Sequence, residues 1–259
     1  MPAGRLGRYE NSEAFAEYSL GKIKSLEMKK ILKKFLPDKL FIIYRFLKKQ
    51  LRFVSKDKQV HFDTNSVYTG HLKVTYRGIQ AIKCPFDYVI YQMIISEMKP
   101  DLVIDIGTNK GGGALYMADL MDTIGHGFIH TIDIKNQRAE IVSRHSRVKF
   151  FTEGWQNYNL NEARGFSKIL IIEDGSHTYE DTIGALRKFS PLVTYGSYFI
   201  VEDGVVNELA KEKGLNGGPL RAVDEFLKEN KGFVVDRAYC DMFGKNATFN
   251  VNGYLKKVK

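Results

Sequence analysis

Residues 102–114 read Leu-Val-Ile-Asp-Ile-Gly-Thr-Asn-Lys-Gly-Gly-Gly-Ala, and this stretch decides the fold of the chain. Its first five residues are mostly apolar and predict a short buried strand. A glycine cluster follows, and residues 115–121 then show the apolar spacing of a helix. Strand, glycine turn and helix form the opening unit of a doubly wound α/β sheet. Glycine suits such a turn because a Cβ atom would keep a ligand away from the backbone.

The spacing of the glycines indicates which ligand this turn binds. They stand at positions 107, 111, 112 and 113, whereas a dinucleotide-binding turn has the spacing Gly-x-Gly-x-x-Gly. The turn fits better to the S-adenosylmethionine (SAM) loop of class I methyltransferases, with an acidic residue just before the first glycine. An acid at the end of the second strand can accept hydrogen bonds from ribose hydroxyls. The predicted cofactor-binding residues here are Asp105, Gly107, Thr108, Gly111, Gly112 and Asp133. The alternative is a glycine turn with only a structural role.

The composition is that of a globular protein with a sizeable core. The chain has 259 residues, of which 44% are hydrophobic and 27% charged. Cys84 and Cys240 form no Cys-x-x-Cys pair, so they predict neither a disulfide framework nor a zinc site and fit a reducing compartment. We find no apolar core of a signal peptide and no apolar run long enough to span a bilayer. The expected location is therefore the cytoplasm.

The positive charge is concentrated at the N-terminus. Residues 1–60 contain 15 basic residues (Lys and Arg) and 6 acidic ones (Asp and Glu). Residues 61–259 contain 24 basic and 24 acidic residues. Because the remainder is balanced, we expect no nucleic-acid partner. Residues 22–54 show a basic amphipathic helical pattern, which predicts peripheral contact with an anionic membrane on its inner face. The apolar side of this pattern could equally pack on the main domain or on a second subunit in a homo-oligomer.

Three segments follow from these patterns. Residues 1–60 are predicted to form a basic helical extension, residues 61–100 a lid or substrate-side segment, and residues 101–259 the SAM-dependent methyltransferase domain. Strands are predicted at 102–106, 128–133, 147–152, 168–174 and 197–202, and helices between them at 112–123, 136–145 and 179–189. This alternation predicts an α/β, Rossmann-like, mostly parallel sheet with helices on both faces. A helix at 220–229 and an antiparallel hairpin of strands 233–240 and 247–255 close it.

Acidic residues end two neighbouring strands of the predicted sheet. The fourth strand runs into Asp174, and the fifth runs into Glu202 and Asp203. Ligands bind beyond the carboxyl ends of parallel strands, so these three side chains are expected to converge. Three carboxylates in one crevice repel each other unless a cation lies among them, and oxygen ligands suit Mg²⁺. Manganese or calcium would fit the same ligands.

His177 follows Asp174 by three residues and is expected above the same crevice. Imidazole titrates near neutral pH, so a histidine beside a reacting hydroxyl is a candidate general base. The alternative is a loop histidine at the start of a helix near Tyr179. We interpret Asp174 and His177 together as the catalytic pair.

These motifs resemble the cephalosporin hydroxylase (CmcI-like) family, which is related to rhamnosyl and macrolide-sugar O-methyltransferases. The resemblance covers roughly residues 70–255 and leaves the N-terminal 60 outside it. It rests on Asp105-Ile-Gly-Thr, Asp174-Gly-Ser-His, the run Gly-Ser-Tyr-Phe-Ile-Val-Glu-Asp at 196–203, Gly-Pro at 218–219, Tyr-Arg-Gly at 76–78 and Lys-Cys-Pro-Phe-Asp at 83–87.

The resemblance implies a class I fold, SAM binding and a Mg²⁺ site that serves methylation of a sugar hydroxyl. Asp174, Glu202 and Asp203 would hold the metal and His177 would be the base, while Gly154 and Trp155 would join the SAM-binding residues. Trp155 could cover the adenine or could simply pack in the core. Glu173 stands where an apolar residue is more usual, which leaves open whether Glu173 or Asp174 faces the metal.

Three other functions compete with O-methylation of a sugar, for which a lipid-linked or surface polysaccharide precursor is a candidate acceptor. A non-heme iron oxygenase commonly needs two histidines and a carboxylate, and only His177 is expected near the acids. An NAD-dependent nucleotide-sugar dehydrogenase would be expected to have the Gly-x-Gly-x-x-Gly spacing, which this chain lacks after its first predicted strand. A membrane-associated binding protein on the same fold would explain the basic extension but not the acids or the glycine turn.

Overall fold

The computed structural model describes residues 62–211 and 213–259. The basic extension at 1–60, including the predicted amphipathic helices at 22–54 and their membrane or subunit contacts, lies outside the described residues. The strands are β1 Thr75–Tyr76, β2 Ile79–Gln80, β3 Leu102–Ile106, β4 Phe128–Ile132, β5 Val148–Phe151, β6 Ile169–Glu173, β7 Tyr198–Val201, β8 Phe233–Val235 and β9 Tyr254–Lys257. The α-helices are α1 Thr64–His71, α2 Pro85–Met98, α3 Gly112–Ile124, α4 Glu140–Ser143, α5 Gly154–Asn157, α6 Tyr179–Phe189, α7 Val205–Glu208, α8 Gly218–Glu229 and α9 Arg237–Cys240.

Seven strands form the main sheet, in the order β5-β4-β3-β6-β7-β9-β8. The five strands from β5 to β7 are parallel, and β9 pairs antiparallel with both β7 and β8. The chain therefore has the predicted α/β fold, with antiparallel strands at one edge. Ile106 pairs with Ile132 on one side and with Glu173 on the other, so the carboxyl ends of β3, β4 and β6 are level.

Hydrophobic cores lie on both faces of the sheet. On one face, Ile104 and Ile171 of the sheet pack with Phe189 of α6 and Phe226 of α8. The other face packs alternate strand residues such as Val103 against α2 and α3. Both faces of the central strands are covered, and β3 and β6 are buried along their whole length. Each large side chain buried in this way stabilises the fold by roughly 1.5–3 kcal/mol.

The segment at 62–100 contributes α1, the short hairpin β1–β2 and α2. Pro85 begins α2, where its missing N–H is not needed, and Lys99 ends it in the left-handed conformation at φ +47°. Between β2 and α2, residues 80–83 reach the carboxyl edge of the main sheet and line the cavity described below. The assignment of 61–100 as a lid stays a prediction.

The predicted terminal hairpin is wrong in its boundaries. The strand predicted at 233–240 ends at Val235, because Asp236 caps α9 by accepting a hydrogen bond from the Ala238 backbone N–H at 3.0 Å. Residues 247–253 do not form a strand, since Asp87 of α2 accepts hydrogen bonds from the Thr248 hydroxyl and, at 3.0 Å, from the Phe249 N–H. Only β9 remains of the second predicted strand.

Within residues 62–211 and 213–259, the helices are too short or too polar to cross a membrane.

Candidate active site

The glycine turn after β3 brings two strand ends into direct contact. Gly107 has φ +106°, and a Cβ atom there would lie 1.8 Å from the Asp174 carbonyl oxygen. The Asp174 N–H in turn donates to the Ile106 carbonyl at 2.8 Å, which fastens β6 to β3. A Cβ on Gly112, the first residue of α3, would lie 2.4 Å from the Gln80 carbonyl. These two glycines are therefore required by the close approach of other backbone segments, at a turn that lines the cavity described next.

A cavity of about 400 Å³ opens above this turn. Most of the predicted site residues line it, and of those predicted only Gly111 and Glu202 are outside its lining. Gly111 has φ +85° and a Cβ there would clash with the Val142 side chain at 2.9 Å, so this glycine shapes the start of α3. The lining residues that were predicted are Asp105, Gly107, Thr108, Gly112, Asp133, Gly154, Trp155, Asp174, His177 and Asp203.

Two carboxylates mark the cofactor side of the cavity. Asp133 accepts hydrogen bonds from the backbone N–H groups of Asn109 at 2.8 Å and Lys135 at 3.0 Å, which fix its position at the end of β4. Asp105 is buried and accepts a hydrogen bond from the Thr131 hydroxyl at 2.7 Å. Burial raises the pKa of Asp105 to about 6, partly offset by the nearby Lys83 ammonium.

Trp155 lies where either of the roles considered from the sequence is open to it. It lines the cavity, and it also packs against the core cluster beneath α6. A Cβ on Gly184 of α6 would lie 2.5 Å from the indole ring, so the absence of a side chain there makes room for the tryptophan. The ring is thereby held at the wall of the cavity.

Asp174, His177 and Asp203 form a second group of polar residues in the lining of the cavity. One ligand atom from each lies within 4.8 Å of the others, and His177 Nε2 is 3.2 Å from Asp203 Oδ2. Both His177 and Asp203 have a positive φ, +58° and +57°, which is a strained conformation for residues with a side chain. Burial works against protonation of His177, but Asp203 and Asp174 outweigh it and raise its pKa.

Lys83 is a buried cation that pairs with two of the predicted acids, and sequence reasoning assigned it no role. Its ammonium is 4% exposed and donates to Asp174 Oδ2 at 2.7 Å and to Glu202 Oε1 at 2.5 Å. The same Glu202 oxygen accepts a hydrogen bond from the Tyr91 hydroxyl at 2.7 Å. Burial opposes the charge on Lys83, yet the two carboxylates raise its pKa well above the usual value. The signal in the sequence was indirect, since a cluster of buried acids needs a counter-charge.

Glu202 lies outside the three-residue cluster, although Lys83 bonds both to Glu202 and to Asp174 of that cluster. The carboxylate expected as a third metal ligand is engaged by Lys83 and Tyr91, and His177 takes the third place beside Asp174 and Asp203. The role of Glu202 as a metal ligand stays a prediction. Asp174 rather than Glu173 faces the cavity, because Asp174 lines it and Glu173 does not.

The donor set fits a divalent cation of the Mg²⁺ type. Two half-buried carboxylates on rigid strand ends offer hard oxygen ligands within reach of one ion. Among the described residues lining the cavity, His177 is the single histidine. The described lining of the cavity therefore offers only one of the two histidine ligands that such an iron oxygenase would need.

The sheet order, the glycine turn at the end of β3 and the acid at the end of β4 define a class I methyltransferase-type α/β fold. The sequence family described as rhamnosyl O-methyltransferase/CmcI matches residues 68–258. The chain belongs to this family, which confirms the resemblance seen in its motifs.

Individual relatives agree with that assignment. The rhamnosyl O-methyltransferase of Mycobacterium tuberculosis is 33% identical over 175 residues, which cover 62% of this chain and 71% of that protein. The rhamnosyl O-methyltransferase of Mycobacterium leprae is 31% identical over 191 residues, which cover 70% and 82% of the two chains. A solved structure of CmcI with SAH superposes with a TM-score of 0.57 at 19% identity, covering 80% of this chain and 91% of CmcI. This last likeness concerns the fold alone.

Proposed function

We propose that the protein is a SAM-dependent O-methyltransferase that acts on a sugar hydroxyl with the help of Mg²⁺. The observation that carries the proposal is the single cavity with Asp133 and the glycine turn on one side and the Asp174–His177–Asp203 cluster on the other. The named relatives are rhamnosyl O-methyltransferases, and solved structures of CmcI include one with SAH and one with Mg and SAM. A rhamnose-like sugar is therefore the first acceptor to test.

The cofactor side would bind SAM through groups that the fold has already fixed. The Asp133 carboxylate, which lines the cavity, would accept hydrogen bonds from the ribose hydroxyls. Gly107 and Gly112 allow the Asp174 and Gln80 carbonyls to pack against the turn, which itself lines the cavity. Trp155 would offer an aromatic wall for the adenine. When bound, SAM supplies an activated methyl group and Mg²⁺ supplies positive charge beside the acceptor hydroxyl.

The acidic side would bind the ion and accept the proton. Asp174 and Asp203 would hold the ion, with Glu202 as the predicted further ligand. His177 would take the proton of the acceptor hydroxyl on Nε2, and the Asp203 carboxylate, 3.2 Å away, would stabilise the imidazolium that results. The main contribution of the protein is to hold the acceptor oxygen and the methyl donor in line while it excludes water.

A lipid-linked or surface polysaccharide precursor would fit the basic N-terminal extension. Residues 1–60 carry all of the excess positive charge of the chain. Contact of residues 22–54 with an anionic membrane, an inner-face location and homo-oligomer formation belong to the same proposal.

The test is methyl transfer by the full-length protein from radiolabelled SAM to a rhamnoside. We expect product with MgCl₂, none in EDTA, and recovery when Mg²⁺ is restored. Asp203→Asn should abolish turnover while SAH still binds, since asparagine tolerates the positive φ of this position. Asp224→Asn, an exposed change on α8, is the matched control. Full activity in EDTA would remove the metal from the proposal.

A further inference from the structure

The motif Lys-Cys-Pro-Phe-Asp at 83–87 places two charged side chains in the interior, and the proposed function gives no role to either. Lys83 is 4% exposed and Asp87 is 1% exposed. Tyr91 lies four residues after Asp87 in α2, so both side chains leave the same face of this helix, and Tyr91 is buried too. The polar atoms of these three side chains therefore need partners inside the protein.

The Tyr91 hydroxyl connects two of these partners. It donates to Glu202 Oε1 at 2.7 Å and accepts from Asn250 Nδ2 at 3.0 Å. The same Glu202 oxygen accepts from the Lys83 ammonium, which also donates to Asp174 Oδ2 at 2.7 Å. A continuous chain of hydrogen bonds therefore runs from Asn250 through Tyr91, Glu202 and Lys83 to Asp174.

Asn250 shares its amide nitrogen between two tyrosines. Its Nδ2 also donates to the Tyr254 hydroxyl at 3.2 Å, and that hydroxyl donates to Asp87 Oδ1 at 2.7 Å. An amide nitrogen has two hydrogens, so both are used. Asn250 is completely buried, and its Oδ1 has no hydrogen-bond partner within residues 62–211 and 213–259.

The direction of these bonds follows from which groups can donate. Asn250 Nδ2 can only donate, so the Tyr91 oxygen accepts from it and the single Tyr91 proton is left for Glu202. The reverse orientation of the amide would present Oδ1 to both tyrosines and draw their protons away from Glu202 and Asp87. Asn250 thus fixes the direction in which the Tyr91 O–H group points.

We propose that Tyr91 is a positioning residue of the ion-binding cluster: it holds Glu202 against Lys83, and Lys83 holds Asp174 in the place where it binds the divalent cation. The inference rests on the proposed function, in which Asp174 and Asp203 hold the ion. Tyr91 does not line the cavity, so it acts only through these contacts. They reach Asp174 without requiring Glu202 to bind the ion itself.

The first test is Tyr91→Phe in the full-length protein, with Mn²⁺ binding measured by electron paramagnetic resonance in the presence of SAH. The variant keeps the ring, whose centroid lies 5.8 Å from Lys83 Nζ, and removes only the hydroxyl. Loss of a group that orients a metal ligand typically lowers metal affinity by roughly 10–100-fold. We expect the Kd for Mn²⁺ to rise by about tenfold or more, while SAH affinity stays within about twofold.

Tyr198→Phe is the matched control. Tyr198 is 4% exposed and donates to Asp236 Oδ2 at 2.7 Å, and neither residue lines the cavity. Both substitutions remove one buried hydrogen bond to a carboxylate, so both should lower the melting temperature to a similar extent. Only Tyr91→Phe should weaken Mn²⁺ binding.

A second measurement asks whether Tyr91 acts through Glu202. Glu202→Met removes the acceptor of the Tyr91 proton and leaves the Lys83–Asp174 pair. Substitutions that share one network are not additive, so in the Glu202→Met background Tyr91→Phe should change the Kd for Mn²⁺ by less than about twofold. An effect on folding alone would not depend on Glu202 in this way.

Equal Mn²⁺ affinity in Tyr91→Phe and the wild type would overturn the positioning role and leave the proposed function standing. A loss of affinity that Tyr198→Phe reproduces, or one that persists in the Glu202→Met background, would also overturn it. A wild-type protein that binds no Mn²⁺ in the presence of SAH would remove the ion from the proposed function, and the positioning role would fall with it.

Discussion

Lys83 explains how several carboxylates lie side by side at the edge of the sheet. Its buried ammonium bonds to Asp174 and Glu202, and its charge also opposes the rise in the pKa of Asp105. Burial of an ion pair is costly, and removing one partner leaves the other charge uncompensated. The lysine, which lies between β2 and α2, therefore holds the acidic edge of the sheet in place.

Lys83→Met tests this role by removing the charge and keeping the length of the side chain. We expect a loss of roughly 3–5 kcal/mol in the free energy of unfolding, measured with urea at neutral pH. Lys149→Met removes an exposed partner of Glu162 and should cost less than about 1 kcal/mol. Equal effects of the two substitutions would contradict a special role for Lys83.

At the residue scale, the sequence located the acids but not their partners. Asp174, His177 and Asp203 could be predicted because each follows a recognisable strand. The Lys83–Glu202 pair could not, since it joins residues 119 positions apart and depends on how residues 80–83 pass over the sheet. Such pairings depend on tertiary packing, which cannot be predicted from local sequence patterns.

The strand–turn–helix unit of β3 and α3 positions the cofactor side of the site. Its key requirement is that the end of β3 touches the end of β6, which is possible because Gly107 lacks a side chain. The register of the two strands confirms how close they are, since Ile106 and Glu173 are paired.

Gly107→Ala should separate these two strand ends. The positive φ costs an alanine about 1–2 kcal/mol, and the clash with the Asp174 carbonyl adds to it. We expect SAH affinity to fall at least tenfold in calorimetric titration. Gly125→Ala is the matched control, because Gly125 also has a positive φ, +75°, but no atom within 4 Å of its Cβ position. Equal SAH affinity in both variants would show that the contact at Gly107 is not needed for the cofactor.

Among the elements, the boundaries of the central strands could be predicted, whereas for the C-terminal strands only their antiparallel pairing could. β3, β4 and β6 are short apolar runs between clear turn signals, so the predicted ends differ by at most one residue. The segment at 247–253 has a strand-like composition, but its backbone bonds to Asp87 instead of to a neighbouring strand. A buried acid on a distant helix overrides the local preference there.

At the scale of the whole molecule, the order of the strands places the site. The chain adds β4 and β5 on one side of β3 and then places β6 and β7 on the other side, so the strand order reverses between β3 and β6. Open α/β sheets bind ligands in the crevice at such a switch point. The predicted cofactor residues follow β3, β4 and β5 on one side of this point, and the acidic cluster follows β6 and β7 on the other. The predicted binding residues for the methyl donor and the acidic cluster proposed to bind the metal thus line the same cavity.

The most direct test is a crystal structure of the full-length protein with SAH and MnCl₂, analysed with the anomalous signal of manganese. We expect SAH in the cavity with its ribose hydroxyls on Asp133, and one manganese peak between Asp174 and Asp203. SAH bound elsewhere, or a metal peak away from these two carboxylates, would contradict a shared site for methyl donor and ion.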